Sequence, residues 1–301
     1  MQRLFWLTGI SVFISGMAIG QIKKQLIVED NTSCETIHLQ LKANRGSHFL
    51  KPSHNPEILS VFSNQEPGSY AHHFTKEIKG KVCEVTLDLE DQASNGGFSQ
   101  TISSKVFSYE TTTSDKFWKM YLTDDKPYNL ELSYGLGHAN IDLSGLAIRN
   151  LKINTASADV LLGYQNGIEN TVQMDTLLIK VDLGSVHTKN LSLAKTHYVF
   201  ADVGFGNVTL DFSTQPMTSN LIKGSVGAGN LVVLLPSNEL TPVLVKIKDS
   251  WLCSIKMPAN LKKTAPNTFT NDAYVKDPSN ALSFDLDVAM GNIIFKQVSH
   301  Q

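Results

Sequence analysis

Val203-Gly-Phe-Gly206-Asn-Val208-Thr-Leu210 is the clearest spelling of a phrase that returns along the chain. It recurs as Thr155-Ala-Ser-Ala158-Asp-Val160, Val181-Asp-Leu-Gly184-Ser-Val186, Val226-Gly-Ala-Gly229-Asn-Leu231 and Val288-Ala-Met-Gly291-Asn-Ile293, with a looser copy at Tyr134-Gly-Leu-Gly137-His. The small anchors are Gly137, Ala158, Gly184, Gly206, Gly229 and Gly291, at steps of 21, 26, 22, 23 and 62 residues. Around them lie short alternating runs such as Leu130-Glu-Leu132, Leu151-Lys-Ile153, Leu177-Leu-Ile179-Lys-Val181 and Val208-Thr-Leu210, the period-two pattern of half-buried strands. Units this short cannot bury an apolar face alone, so neighbours must stack into one column. The expected fold is all-β: a β-solenoid or stacked β-roll, with an N-terminal β region and very little helix. Gly and Ala at the anchors suit corners that need positive φ or close backbone approach, and the Asn or Asp that follows tolerates such corners.

Outward from the repeat, Ile37-His-Leu39-Gln-Leu41 and Val82-Cys-Glu-Val85-Thr-Leu87 are further strands, and Ala43-Asn-Arg-Gly46-Ser-His-Phe49 is a weak cousin of the phrase. Residues 90–125 are the most polar part. A regional division is placed at Lys126-Pro127, giving an N-terminal β region over residues 21–126 and a repeat domain over 127–301. Past Pro236 the regularity loosens, and Ser283–Val288 with Ile293–Phe295 are expected to supply a final rung that caps the stack.

Residues 1–20 have another character. Arg3, the apolar Leu4–Ile14 run and Ala18-Ile-Gly20 fit a cleaved signal peptide, with cleavage before Gln21 and no stable membrane span afterwards. The expectation is secretion across the inner membrane to the periplasm or cell surface. Such a compartment lets disulfides persist. Of three cysteines, Cys34 and Cys83 bracket the N-terminal region and Cys253 follows an apolar run as a buried thiol. A Cys34–Cys83 pair and three reduced, packed thiols both remain open at this stage.

Composition narrows the function classes. The 301 residues are 42% hydrophobic and 18% charged, with Lys+Arg 26 against Asp+Glu 28. That is a globular balance with no basic stripe, which argues against a nucleic-acid partner. Gly204-Phe-Gly206 and Gly224-Ser-Val-Gly227-Ala-Gly229 complete neither GxGxxG nor GxxxxGK[ST], and no helix follows to hold a phosphate. The nine histidines lack metal-ligand spacing; His72-His73 are taken as an exposed loop pair, and His138 and His187 as structural, with pairing across rungs as the alternative. Asp285-x-Asp287 and Asp124-Asp125 are weighed as glycosidase or calcium carboxylates against a solvated strand face. Trp118, Tyr121 and Tyr128 are weighed as a ligand platform against a cover for the end of the stack. No catalytic, cofactor-binding or metal residue is assigned, and no cofactor is expected.

Pro127-Tyr-Asn-Leu-Glu-Leu-Ser-Tyr134-Gly-Leu-Gly137-His-Ala-Asn-Ile141, followed by Leu151-Lys-Ile153-Asn-Thr-Ala-Ser-Ala158-Asp-Val160, resembles the toast-rack domains of bacterial exported proteins, similar to adhesin-like and cell-wall-stress-response domains that share the glycine phrase. The resemblance covers residues 130–235 well and the N-terminal part poorly. It implies a repetitive all-β roll at the bacterial envelope and carries no catalytic residues. The expected function is therefore a non-enzymatic exported β-repeat protein with an adhesin-like or scaffold role, whose partner is an envelope protein or a surface glycan. An envelope-stress sensor acting through a protein partner and a polysaccharide-active enzyme are the alternatives; oligomeric state is left open.

Overall fold

The structure is a computed structural model that describes residues 22–66, 68–91, 116–237, 240–277 and 279–298. The expected signal segment lies outside these residues. The described chain forms one 20-stranded sheet. In chain order the strands are β1 (Lys23–Val28), β2 (Thr36–Ser53), β3 (Leu59–Ser63), β4 (Tyr70–Lys79), β5 (Val82–Asp91), β6 (Phe117–Thr123), β7 (Pro127–Asp142), β8 (Ala147–Gly163), β9 (Met174–Val181), β10 (Ser185–Lys189), β11 (Thr196–Val203), β12 (Asn207–Asp211), β13 (Asn220–Val226), β14 (Asn230–Pro236), β15 (Val243–Lys248), β16 (Ser254–Lys256), β17 (Lys262–Ala265), β18 (Thr268–Thr270), β19 (Leu282–Val288) and β20 (Asn292–Val298). Among the described residues, a short helix, α1 (Asp272–Lys276), and a 3-10 turn over Leu191–Ala194 are the helical pieces.

The strands stack as two parallel ladders that share their long members. The first runs β5–β2–β7–β8–β9–β11–β13–β19–β15. The second runs β6–β2–β7–β8–β10–β12–β14–β20–β16. Strands β2, β7 and β8 bend through both ladders, while later rungs break in two at the glycine phrase. The phrase is thus the corner of each rung, and β2 joins the series because Gly46 is in register with Gly137. Strand β2 pairs with β5 and β6 on one side and β7 on the other, so the ladder crosses residues 126–127.

In-register pairing converts period-two alternation into columns. Leu39, Leu130, Leu151, Leu177, Val199, Ile222, Phe284 and Val245 form one buried column on the first ladder. Val160, Val186, Val208, Leu231 and Ile293 face them from the second. The outward residue after each corner forms a polar ladder. There Ser185 Oγ donates to Asp159 Oδ1 at 2.5 Å, and Asn230 and Asn292 donate to Asn207 and Asn230 at 2.6 Å each.

Corner geometry explains the small residues. A Cβ added to Gly137, Gly184, Gly206, Gly229 or Gly291 would lie inside the van der Waals envelope of a carbonyl oxygen, that of Gly46, Ala158, Gly184, Gly206 and Gly229 respectively. Only Gly137 in this series has positive φ, at +119°. The other glycines are therefore required by backbone approach, one of the two reasons the sequence offered. At Ala158 the corner is closed locally: its N–H donates to Thr155 Oγ1 at 2.9 Å, and that hydroxyl donates to the Ala158 carbonyl at 2.8 Å.

The last rung is not the one anticipated. Strands β19 and β20 slot between β13/β14 and β15/β16, so the terminal rung belongs to residues 243–256. Charge favours this order. Asp285 pairs in register with Lys223 on one side and Lys246 on the other, and Asp287 receives Lys248 at 3.3 Å. Antiparallel strands blunt the open ends: β4 covers β5, β3 covers β6, and β18 with β17 covers β15.

Cys34 and Cys83 are bonded, with Cα atoms 5.6 Å apart and both side chains buried. Cys253 is free and half-buried rather than fully buried, because it sits on the terminal rung with no further neighbour; its thiol donates to the Ser250 carbonyl at 3.1 Å. Under the corner of β2 lies His48, 3% exposed, with Nε2 donating to the Arg45 carbonyl at 3.2 Å and its ring 5.4 Å from that of Tyr134. Desolvation pulls its pKa down to about 4, partly opposed by the Arg45 bond.

Three stability measurements check this account. Gly229→Val should cost about 1–3 kcal/mol in urea unfolding, whereas Ala228→Val next to it should stay within about 0.5 kcal/mol; equal effects would show that the column does not set the corner. Removing the disulfide as Cys34→Ser/Cys83→Ser reopens a loop of 49 residues, and should lower stability by about 4 kcal/mol through chain entropy. Because the unfolded chain protonates His48 near 6.5 and the native chain only near 4, stability should fall as pH drops through that window, by about 3 kcal/mol at most from this group. Urea midpoints at pH 7 and 4.5 should separate less in His48→Phe than in the parent, and parallel losses would exonerate His48.

Candidate functional site

The outward rows of the first ladder carry the most varied chemistry. One row reads Gln40, Glu131, Lys152, Leu178, Phe200, Lys223, Asp285, Lys246, and its neighbour reads Lys42, Ser133, Asn154, Lys180, Asp202, Ser225, Asp287, Lys248. Alternation puts these side chains outward because Leu41, Leu132, Ile153, Ile179 and Ala201 between them fill the core. Adjacent rungs then pair. Lys152 donates to Glu131 at 2.5 Å, Asn154 to Ser133 at 3.2 Å and Ser225 to Asp202 at 2.7 Å.

A groove of 870 Å³ runs across these rungs. Its walls include Lys42, Asn44, Asp88 and Glu90 at one end, Ser133, Lys152 and Asn154 in the middle, and Leu178, Lys180, Asp182 and Asp202 at the other. Among the described residues no ion pair engages Lys42, Lys180, Asp88 or Asp182, and Asp88 Oδ1 is buried without a hydrogen-bond partner. Beyond Leu178 the face becomes aromatic. Tyr198 and Phe200, both outward on β11, have rings 6.5 Å apart and only 20° from parallel, with exposures of 48% and 36%. Phe200 also lines a second depression of 400 Å³ with Lys223, Lys248, Asp285 and Asp287. The face therefore offers two solvent-facing rings beside a trough of mixed charge and amide groups.

The aromatic residues singled out from sequence do not form a platform. Trp118 is buried edge-on against Tyr70 at 4.7 Å, Tyr128 is buried with its hydroxyl donating to the Ile58 carbonyl at 2.8 Å, and Tyr121 packs edge-on to Phe62 at 5.8 Å. Each lies where β1, β3 and β6 close over the first rungs. Tyr198 and Phe200 were missed, though Thr196-His-Tyr-Val-Phe-Ala-Asp-Val203 carries the signal: once Val199, Ala201 and Val203 take the core, both rings must face outward.

The remaining candidates are dispersed. His72 and His73 stand exposed on the edge strand β4, not in a loop, because that strand pairs along its length with β5. His138 lies in register with Asp159, Nδ1 to Oδ2 3.9 Å, whereas His187 is in register with Leu161, so the two histidines do not oppose each other. They line a depression of 310 Å³ on the second ladder. Asp124 pairs with His54 at 2.6 Å beside Asp125, and Asp285, between Lys223 and Lys246, and Asp287, between Ser225 and Lys248, are exposed. Among the described residues no group of three or more His, Cys, Asp or Glu is arranged to hold a metal ion, and no helix is long and apolar enough to cross a membrane.

Comparison with known proteins gives the fold its context. A crystal structure titled a "putative cell adhesion protein", from Clostridium sporogenes ATCC 15579, is similar over 92% of this chain and 100% of its own, at 16% sequence identity and a TM-score of 0.44. No curated protein matches. The family model for the N-terminal domain of toast_rack, DUF2154, matches residues 21–176. That span begins in the part where the sequence resemblance was weak, and it takes in β1 to β8 with the first corners, Gly46, Gly137 and Ala158. With more than half of its residues matched and its rungs stacked around those corners, the chain belongs to the toast-rack family.

Proposed function

We propose that this protein is a non-catalytic, exported scaffold of the bacterial envelope with an adhesin-like role, holding its partner on the outer face of the first ladder. One observation carries the reading. Strands β7, β8, β9 and β11 are hydrogen-bonded to a neighbour on each side, so the face beneath the groove is rigid and its side chains are held at fixed spacing. Sites built on such elements recognise without first having to order themselves. The Cys34–Cys83 bond supports an oxidising compartment and hence export.

The placement of carboxylates bears on the enzymatic alternative. Four line the groove: Asp88 and Glu90 stand two residues apart on β5, about 7 Å from each other, but Glu90 is exposed, and both are four strand spacings from Asp182, about 19 Å at the usual interstrand distance. Glycosidase carboxyl pairs stand about 5–9.5 Å apart. Asp182 and Asp202 lie on adjacent rungs, yet both are exposed, whereas a glycosidase proton donor sits in a buried site. The arrangement favours binding over hydrolysis.

The purified, disulfide-bonded protein should co-sediment with bacterial envelope or cell-wall preparations and leave polysaccharide in them uncleaved. A protein that stays in the supernatant with every fraction, or that releases reducing sugar from one, overturns the proposal.

A further inference from the structure

We infer that the groove and the Tyr198–Phe200 pair form one binding site for a neutral polysaccharide chain; this rests on the scaffold reading above. Three features of the face select that ligand class.

The first is the occupied backbone. An extended peptide normally gains affinity by adding a strand to an open edge, and here β9 and β11 have no open edge because each is bonded on both sides. A ligand on this face meets side chains alone, so it must satisfy its own polar groups without a backbone ladder. A hydroxyl-rich chain does so, each hydroxyl being both donor and acceptor.

The second is charge. The groove places Lys42, Lys152 and Lys180 among Asp88, Glu90, Asp182 and Asp202. A polyanion is held by a surface of one sign, and this surface interleaves both. Charged and amide groups of both kinds in one trough match a ligand that donates and accepts along its whole length.

The third is the aromatic pair. Two near-parallel rings, 48% and 36% exposed and side by side on one regular rung, keep apolar area in water. Aromatic side chains pair an apolar face with rigid, low-entropy presentation. The C–H face of a sugar ring stacks on such a surface while its hydroxyls reach Asp202 on the same rung and Lys180 on the adjoining one.

Affinity electrophoresis of the full chain through gels carrying hydroxyethylcellulose, glycol chitin, mannan or galactomannan tests the assignment, with dextran sulfate as the polyanion. At least one neutral polymer should retard the protein, and Tyr198→Ala/Phe200→Ala should weaken retardation about tenfold or more in apparent Kd. Tyr198→Phe, which keeps the ring, should bind as the parent does. Thermal unfolding should be nearly unchanged in the double variant, since Val199 and Ala201 retain the core positions. Retardation by dextran sulfate alone, by no polymer, or equally in parent and double variant overturns the inference. Co-sedimentation with envelope that survives in the double variant removes this site but leaves the scaffold reading standing, whereas loss of co-sedimentation in the parent removes both.

Discussion

The approach of one corner backbone to the carbonyl below it governs this molecule. At Gly137, Gly184, Gly206, Gly229 and Gly291 each rung meets the corner carbonyl of the one below so closely that a Cβ would not fit, and Gly46 and Ala158 stand in the same column. Because the contact is between backbones, it holds every rung in the same register as its neighbour. Register in a sheet with one buried face is all or nothing, since a slip by one residue would turn each core column outward. The small-residue column therefore protects the apolar columns at a distance, by denying the chain any other alignment.

Several features that look separate follow from that register. Identical positions on successive rungs become neighbours, so Asn207, Asn230 and Asn292 form an amide ladder and Lys223, Asp285 and Lys246 form a charge-alternating row. Pairing of this sort favours the last strands in sequence, β19 and β20, inside the stack: Asp285 of β19 is flanked there by Lys223 and Lys246, and Asp287 lies between Ser225 and Lys248. The same register carries outward residues from distant parts of the chain onto one continuous face, and the groove spanning Asp88 to Asp202 exists only because residues more than a hundred positions apart stack a few strands from each other.

A parallel stack has open ends, and this one meets the problem with antiparallel strands over β5, β6 and β15. The N-terminal cover is tied by the Cys34–Cys83 bond, and it absorbs Trp118, Tyr121 and Tyr128 into its packing. Those three aromatics at the N-terminal boundary serve closure, while Tyr198 and Phe200, in the middle of a regular rung, face outward.

The amino-acid sequence by itself determined the strand character, the corner positions and the stacking, because each rests on local pattern: period-two alternation sets which side is apolar, and a recurring small residue marks where the chain turns. It also brought Cys34 and Cys83 forward as the candidate pair. What only the tertiary structure decided was order and juxtaposition. The intercalation of β19 and β20, the burial of Trp118 and Tyr128, the loss of water around His48 and the grouping of the groove residues all depend on which rung lies beside which. Those contacts join residues far apart in the chain, and a pattern within one segment carries no information about its neighbour across a ladder.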